Sequence, residues 1–447
     1  MQLTTEEISA LRRTFLDYRS TEDFIRNPLV LSRAEGLYYW DTEGKRYFDA
    51  IGGIFVATLG HGHPRVLAAM REQMERMTFA PPLHGIADVT LKFVEKLGSV
   101  CPDGLRYVKP FSGGSEAVES ALKFTRQYFK QTGQPGKYKI ISRYSSYHGG
   151  TFGGMSASGT GERKAKFEPQ MPGFLKVFPP SFYRDDFSSW EEANRFAARC
   201  VDDVIAAEDP STVAAFIVEP VGNTGGIITP TAEYFQMLRE ICTRRNVMLI
   251  FDEIITGIAK TGSMFAAQTY GVTPDILCLG KGISNGAIPL AAMVAREDLA
   301  GSFYGEQTDA KFFAHGHTFA GNPLASAVGI AVLDEIVEKD YCQKAARLGK
   351  HLRQRFERLK ELGVVREVRG KGILLGVELV RDTRTMAPFP ELGLAMKRTA
   401  LRNGLILRID PSWFAVAPPL IAEESDLDEM CDLIDKSLRE ALKEVRG

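Results

Sequence analysis

The sequence predicts an α/β fold built on a parallel sheet, and three observations carry the prediction. AAFIVEP, VMLIFDE and DILCLGK are short apolar runs without alternation, the pattern of strands buried on both faces. Between the first two lies TAEYFQMLREICTRRN, where Phe235, Leu238 and Ile241 recur at helical spacing and complete a strand–helix–strand unit. The chain has 447 residues, 44% of them hydrophobic, enough for two or three domains with filled cores.

In chain order, the polar opening TTEEISALRR predicts a surface helix with Thr4 and Glu7 as a capping box. It lacks the basic-then-apolar order of a signal peptide, and no run of 18 or more apolar residues follows, so no membrane span is expected. FSGGSEAVESALKFTRQYF sets a glycine-rich turn before a helix with Val118, Ala121, Leu122 and Thr125 on one face, and the start of that helix is a ready anion site. The three apolar strands end in Glu219, Asp252 and Lys281. Ligands of open parallel sheets bind at the carboxyl ends of strands, so these charges are expected to meet in one crevice. Further on, VREVR and ILLGVEL read as strand–turn–strand around Lys371. GLILRIDPSWFAVAPPL precedes a last helix, capped by Ser425, with Leu427, Met430, Ile434 and Leu438 inward. A smaller α+β unit is expected to begin near residue 330. There is no repeat, low-complexity tract or long linker, so the domains should share an interface.

With 55 basic and 56 acidic side chains, no broad field recruits nucleic acid or an acidic membrane, which leaves small molecules as the expected partners. The six cysteines are scattered, with no CxxC pair. That excludes a disulfide framework or zinc site, predicts no metal, and fits a reducing cytoplasm.

Lys281 stands in LCLGKGISNG. A nucleotide phosphate loop needs GxxxxGK[ST], which is absent. Gly280, Gly282 and Gly286, like Gly370, Gly372 and Gly376, are spaced one residue too far for a dinucleotide fingerprint. A lysine at a buried strand end has another use: burial lowers its pKa so that the amine attacks an aldehyde and later shuttles a proton. Pyridoxal phosphate needs such a lysine, an acid for its ring nitrogen, N–H donors for its phosphate and an aromatic face for its ring. Asp252, the Gly113–Gly114–Ser115 turn and Tyr147 supply candidates. Each has a plainer reading alone, as a solvated cap, a tight turn or ordinary packing; their conjunction carries the weight.

These segments, in their order, resemble the class III, or omega, aminotransferases. The resemblance spans almost the whole chain, from YYWDTEGKRYFDAIGG and LGHGHP through SGGSEA, YHGGT, VEPVG, FDEIITGIAKTG and LGKGISNG to HGHTFAGNP and APPL, with Asp252 and Lys281 29 positions apart. It implies the pyridoxal-phosphate fold type I: a large domain with a central, mostly parallel seven-stranded sheet between helices, and a smaller α+β domain formed by both chain ends. The expected division is 1–65, 66–329 and 330–447. The resemblance further implies that Lys281 attaches to the cofactor, that Asp252 partners the ring nitrogen, and that Gly114 and Ser115 hold the phosphate. Tyr147 and Ile254 would cover the two ring faces, with His148 and Glu219 in the same site. Thr318 would reach the phosphate of the other subunit's cofactor in a homodimer or dimer of dimers. Arg408 matches the carboxylate-binding position, and Phe55 and Trp40 fall in the stretch that lines the substrate pocket.

Four departures bear on substrate. Thr224 stands where 4-aminobutyrate and ornithine relatives carry an acid that neutralises the arginine, which favours pyruvate over 2-oxoglutarate. Ile255 replaces their glutamine, as in several amine:pyruvate members. Lys260 and Ile258 replace the arginine and phenylalanine of GFGRTG, and Ile54 replaces the glutamine of dialkylglycine decarboxylases. The resulting expectation is a cytoplasmic omega-aminotransferase moving an amino group from an amine or omega-amino acid to pyruvate or a similar 2-oxo acid. The rivals are a class III lyase on amino phosphonates or phospho-amines, an amino-acid epimerase, a 2-oxoglutarate-dependent aminotransferase, and a non-catalytic binder that the intact Lys281 and Asp252 argue against.

Overall fold

The computed structural model describes residues 3–446. A seven-stranded sheet runs, edge to edge, through Leu105–Phe111, Ala291–Arg296, Ile276–Leu279, Met248–Asp252, Val213–Val218, Lys139–Arg143 and Phe174–Val177. The last five are mutually parallel, and Ala291–Arg296 is antiparallel to both neighbours. The three apolar runs are the adjacent central strands, buried along their length.

Alternation along a strand sends successive side chains to opposite faces, and the core divides accordingly. Leu249 and Phe251 pack with Phe235 and Leu238 of the helix Ala232–Arg245, while Met248 and Ile250 pack with Val118 and Ala121 of the helix Gly114–Gln131. Register pairs Val218 with Phe251 and Asp252 with Cys278, so the carboxyl ends of three neighbouring strands are level. Glu219, Asp252 and Lys281 therefore emerge side by side, as the strand-end reading requires.

Two four-stranded sheets make the smaller unit. Leu31–Glu35, Tyr38–Asp41 and Arg46–Asp49 form an antiparallel meander that Leu405–Ile406 joins in parallel, so the two ends of the chain share one sheet. The other sheet is antiparallel, in the order Val365–Lys371, Leu374–Leu379, Trp413–Val416, Arg408–Asp410. The helix Thr5–Leu11 carries the Thr4–Glu7 capping box and buries no residue. The last helix differs from expectation: it spans Glu424–Arg446, so Ser425 lies in its first turn, and the Asp426 carboxylate accepts from the Glu423 N–H instead. Leu427, Met430, Ile434 and Leu438 are inward as expected. Among the described residues no helix is long and apolar enough to cross a membrane.

Candidate active site

Lys281 begins a short turn, Lys281–Ser284, immediately after the strand Ile276–Leu279. Its φ is 46°, in the left-handed region where a side chain costs on the order of 1 kcal/mol. The surrounding bonds hold it there. Asn285 accepts from the Leu59 N–H at 2.6 Å and donates to the Gly60 carbonyl at 2.8 Å, tying the lysine turn to the N-terminal segment. That segment is itself bent, with Phe55 at φ 67°.

Lys281 opens on a cavity of about 300 Å³, also lined by Gly114, Ser115, Tyr147, His148, Glu219, Asp252, Ile254, Phe55 and Arg408. Ten of the twelve expected site residues thus surround one space. Burial pulls the Lys281 amine down to about 8 against the attraction of Asp252 and Glu219, with the Arg408 charge adding to the fall. Burial likewise raises the Glu219 carboxyl above its ordinary value. Asp252 is fixed from two sides: Oδ2 lies 2.8 Å from His148 Nδ1, and Oδ1 accepts from the Ile254 N–H at 3.2 Å. Glu219 accepts from the Tyr147 and Asn223 N–H groups.

Two expected residues lie elsewhere. Trp40 sits on the N-terminal meander with the Arg33 guanidinium 4.2 Å from its ring centre, outside the cavity. Thr318, expected to serve the other subunit's cofactor, is exposed in a loop and does not line this chain's own cavity.

Several groups were not foreseen. His148 was expected beside the cofactor but not as the support of Asp252, a contact across 104 residues that no local pattern signals. Asp410 binds Arg408 through Nε and NH2 at 3.0 and 2.9 Å, and the Arg-x-Asp spacing, which puts both on one face of a strand, was the available signal. Thr224, at the position of the relatives' acid, donates instead to the Ser145 carbonyl. Tyr18 and Arg163 line the cavity as well.

The family described as aminotransferase class-III matches residues 21–438. The chain is a class-III aminotransferase. It is 37% identical to a probable aminotransferase of Mycobacterium tuberculosis over 90% of this chain and 88% of that one. It is 31% identical to the putrescine–pyruvate aminotransferase of Pseudomonas aeruginosa, over 97% of this chain and 96% of that one. Its fold matches an (S)-enantioselective omega-transaminase from Thermomicrobium roseum with a TM-score of 0.92 and 35% identity, covering 100% of both chains.

The aminotransferase belongs to a pyridoxal-phosphate-dependent family, and its cavity suits the cofactor. A Cβ on Gly114 would stand 2.6 Å from Ile254 Cδ1, and one on Gly149 would stand 2.7 Å from Ser115 Oγ, so the glycines keep a flat slot open. The helix starting at Gly114 has no side-chain cap, leaving first-turn N–H groups for an anion. His148 Nε2 is buried without a partner at the same site. A lowered lysine amine, a fixed carboxylate, uncapped N–H donors and the Tyr147 ring are the four things the cofactor asks of a protein.

Proposed function

We propose that this aminotransferase moves an amino group from an amine or omega-amino acid to pyruvate or a similar small 2-oxo acid. The observation that carries the reading is the Lys281 amine, lowered to about 8, sharing one cavity with buried Asp252 and with Arg408. The pyruvate-using relative and the absence of an acid at Thr224 favour the smaller acceptor.

Bound pyridoxal phosphate supplies an aldehyde for the amine and an electron sink that acidifies the neighbouring C–H. Gly114 and Ser115 would hold its phosphate, Tyr147 and Ile254 its ring faces, and Asp252, oriented by His148, its ring nitrogen. Lys281 Nζ, neutral in good part near pH 8, takes the proton from the substrate carbon and returns it on the other side of the transfer. Arg408 receives the acceptor's carboxylate. While an uncharged donor occupies the cavity, Asp410 balances the arginine, the part that an acid plays in relatives. Phe55, Val221 and Ile255 keep water from the reacting carbon.

Residues 66–329 would form the cofactor domain, with 1–65 and 330–447 making the smaller one. We further propose that the enzyme is a homodimer, or a dimer of dimers, in the cytoplasm. Phe79 and Phe319 pair edge-to-face beside exposed Leu83 and Ile86, an apolar patch next to Thr318 that suits a second copy. The six cysteines are free and four are buried, in keeping with a reducing compartment.

A donor screen tests the reaction, with pyruvate and 2-oxoglutarate as alternative acceptors. Alanine is the expected product with pyruvate. Lys281→Ala should abolish it and remove the absorbance of covalently held cofactor, and Asp252→Asn should lower kcat by about 100-fold or more. Loss of amine without any acceptor, or unchanged turnover in Asp252→Asn, would overturn the assignment.

A further inference from the structure

Two arginines line the cavity, and they are in opposite electrostatic states. Arg408, near enough to Lys281 to depress its pKa, is already balanced by Asp410. Arg163, on the one-turn helix Gly161–Lys164, has neither an ion pair nor a side-chain hydrogen bond among the described residues. Its guanidinium instead lies 4.5 Å from the Tyr18 ring centre and 4.8 Å from that of Tyr147. The two tyrosines approach each other through their hydroxyls, 3.5 Å apart. Its neighbour Glu162 is exposed and does not pair with it.

A guanidinium held against two aromatic rings uses none of its N–H groups as conventional hydrogen-bond donors to them, which leaves those groups for a ligand. They form the planar fork that suits a carboxylate or sulfonate. A half-buried cation without a counter-ion is electrostatically unfavourable until an anion arrives, and it repels a second cation. Tyr18, drawn from the N-terminal segment, and Tyr147, from the cofactor site, together hold this charge at the wall of the cavity that Gly114 and Ser115 also line.

We propose that Arg163, clamped by Tyr18 and Tyr147, is an anion subsite that receives the carboxylate or sulfonate at the far end of the amino donor and disfavours donors whose far end is cationic. The proposal rests on the aminotransferase reading of the Lys281 cavity. It separates this chain from its putrescine-using relative, whose named donor carries a second ammonium.

The test uses holoenzyme and three donors of equal length, 4-aminobutanoate, butylamine and 1,4-diaminobutane, each with pyruvate. In the wild type kcat/KM should fall in that order. Arg163→Ala should lower kcat/KM for 4-aminobutanoate about tenfold or more, mainly through KM, leave butylamine within about twofold, and improve the diamine. Arg163→Lys should recover part of the loss. Calorimetric binding of glutarate, which has no amine, should weaken in Arg163→Ala, while cofactor affinity stays unchanged. Equal losses for all donors, no loss for any, or a fall in cofactor affinity would overturn the subsite, the last by assigning Arg163 to the cofactor phosphate. If the wild type transfers from none of the donors yet glutarate binding still depends on Arg163, the transfer reading fails and the subsite stands.

Discussion

Lys260 is the departure from GFGRTG that the sequence left without a consequence, and its surroundings supply one. Its amine is buried, donates to Thr58 Oγ1 at 2.9 Å, and lies where a Cβ on Gly282 would come within 2.6 Å, directly beside the Lys281 turn. Burial, and then the Lys281 charge, lower it to about 7. An amine lowered from its ordinary 10.5 to about 7 binds fewer protons in the folded state, so stability rises with pH between those values. The slope is at most about 1.4 kcal/mol per pH unit. In cofactor-free protein, Lys260→Met should therefore be more stable than wild type at pH 6, with the gain shrinking as pH approaches 10. Denaturant midpoints at pH 6, 8 and 10 check this, and a gain independent of pH would contradict it. The meeting of Lys281 and Asp252 in one cavity was legible because strand ends and residue types announce it. The fate of Lys260 was not, because its partner Thr58 lies 202 residues away.

At the level of elements, the second GKG, at Gly370 to Gly372, turns out to be a packing joint. Gly370 and Gly372 have φ of 129° and 55°, and a Cβ on Gly372 would stand 2.3 Å from the Lys260 carbonyl, which accepts from the Ile373 N–H at 3.1 Å. From the other side, a Cβ on Gly349 of the helix Tyr341–Glu357 would meet the Gly372 carbonyl at 2.2 Å. Gly349→Ala should cost about 1–3 kcal/mol by overpacking. Gly301→Ala, whose Cβ meets nothing within 4 Å, serves as the reference in thermal unfolding. Equal midpoints for the two variants would refute the close approach. The strand–turn–strand pattern was readable here, whereas the contact that makes its glycines necessary was not. Likewise Ser425 read as the cap of the last helix, yet it lies inside the first turn, where the Asp426 carboxylate reaches back to the Glu423 N–H.

For the molecule as a whole, the central parallel strands were visible as unbroken apolar runs. The edge strand Phe174–Val177 carries no such mark, because a few half-buried residues resemble a loop, and the buried Ala291–Arg296 is alanine-rich and so lacks the run of larger apolar residues that marks the central strands. The exposed patch around Phe79, Leu83, Ile86 and Phe319 leads to a test of assembly. Light scattering should give about twice 49.5 kDa or a multiple of it, and Leu83→Asp with Phe319→Ser should yield monomers without activity. An active monomer would rule out sites shared between subunits. The parallel pairing of Arg46–Asp49 with Leu405–Ile406 has a further consequence, in the order of synthesis. The amino-terminal hairpin leaves the ribosome about 350 residues before the strand that completes its sheet, a delay of roughly 20–70 s at ordinary translation rates. Through that interval Phe48, buried in the finished protein, lacks its cover. The nascent chain should therefore be a client of chaperones until Leu405–Ile406 emerges and closes the sheet.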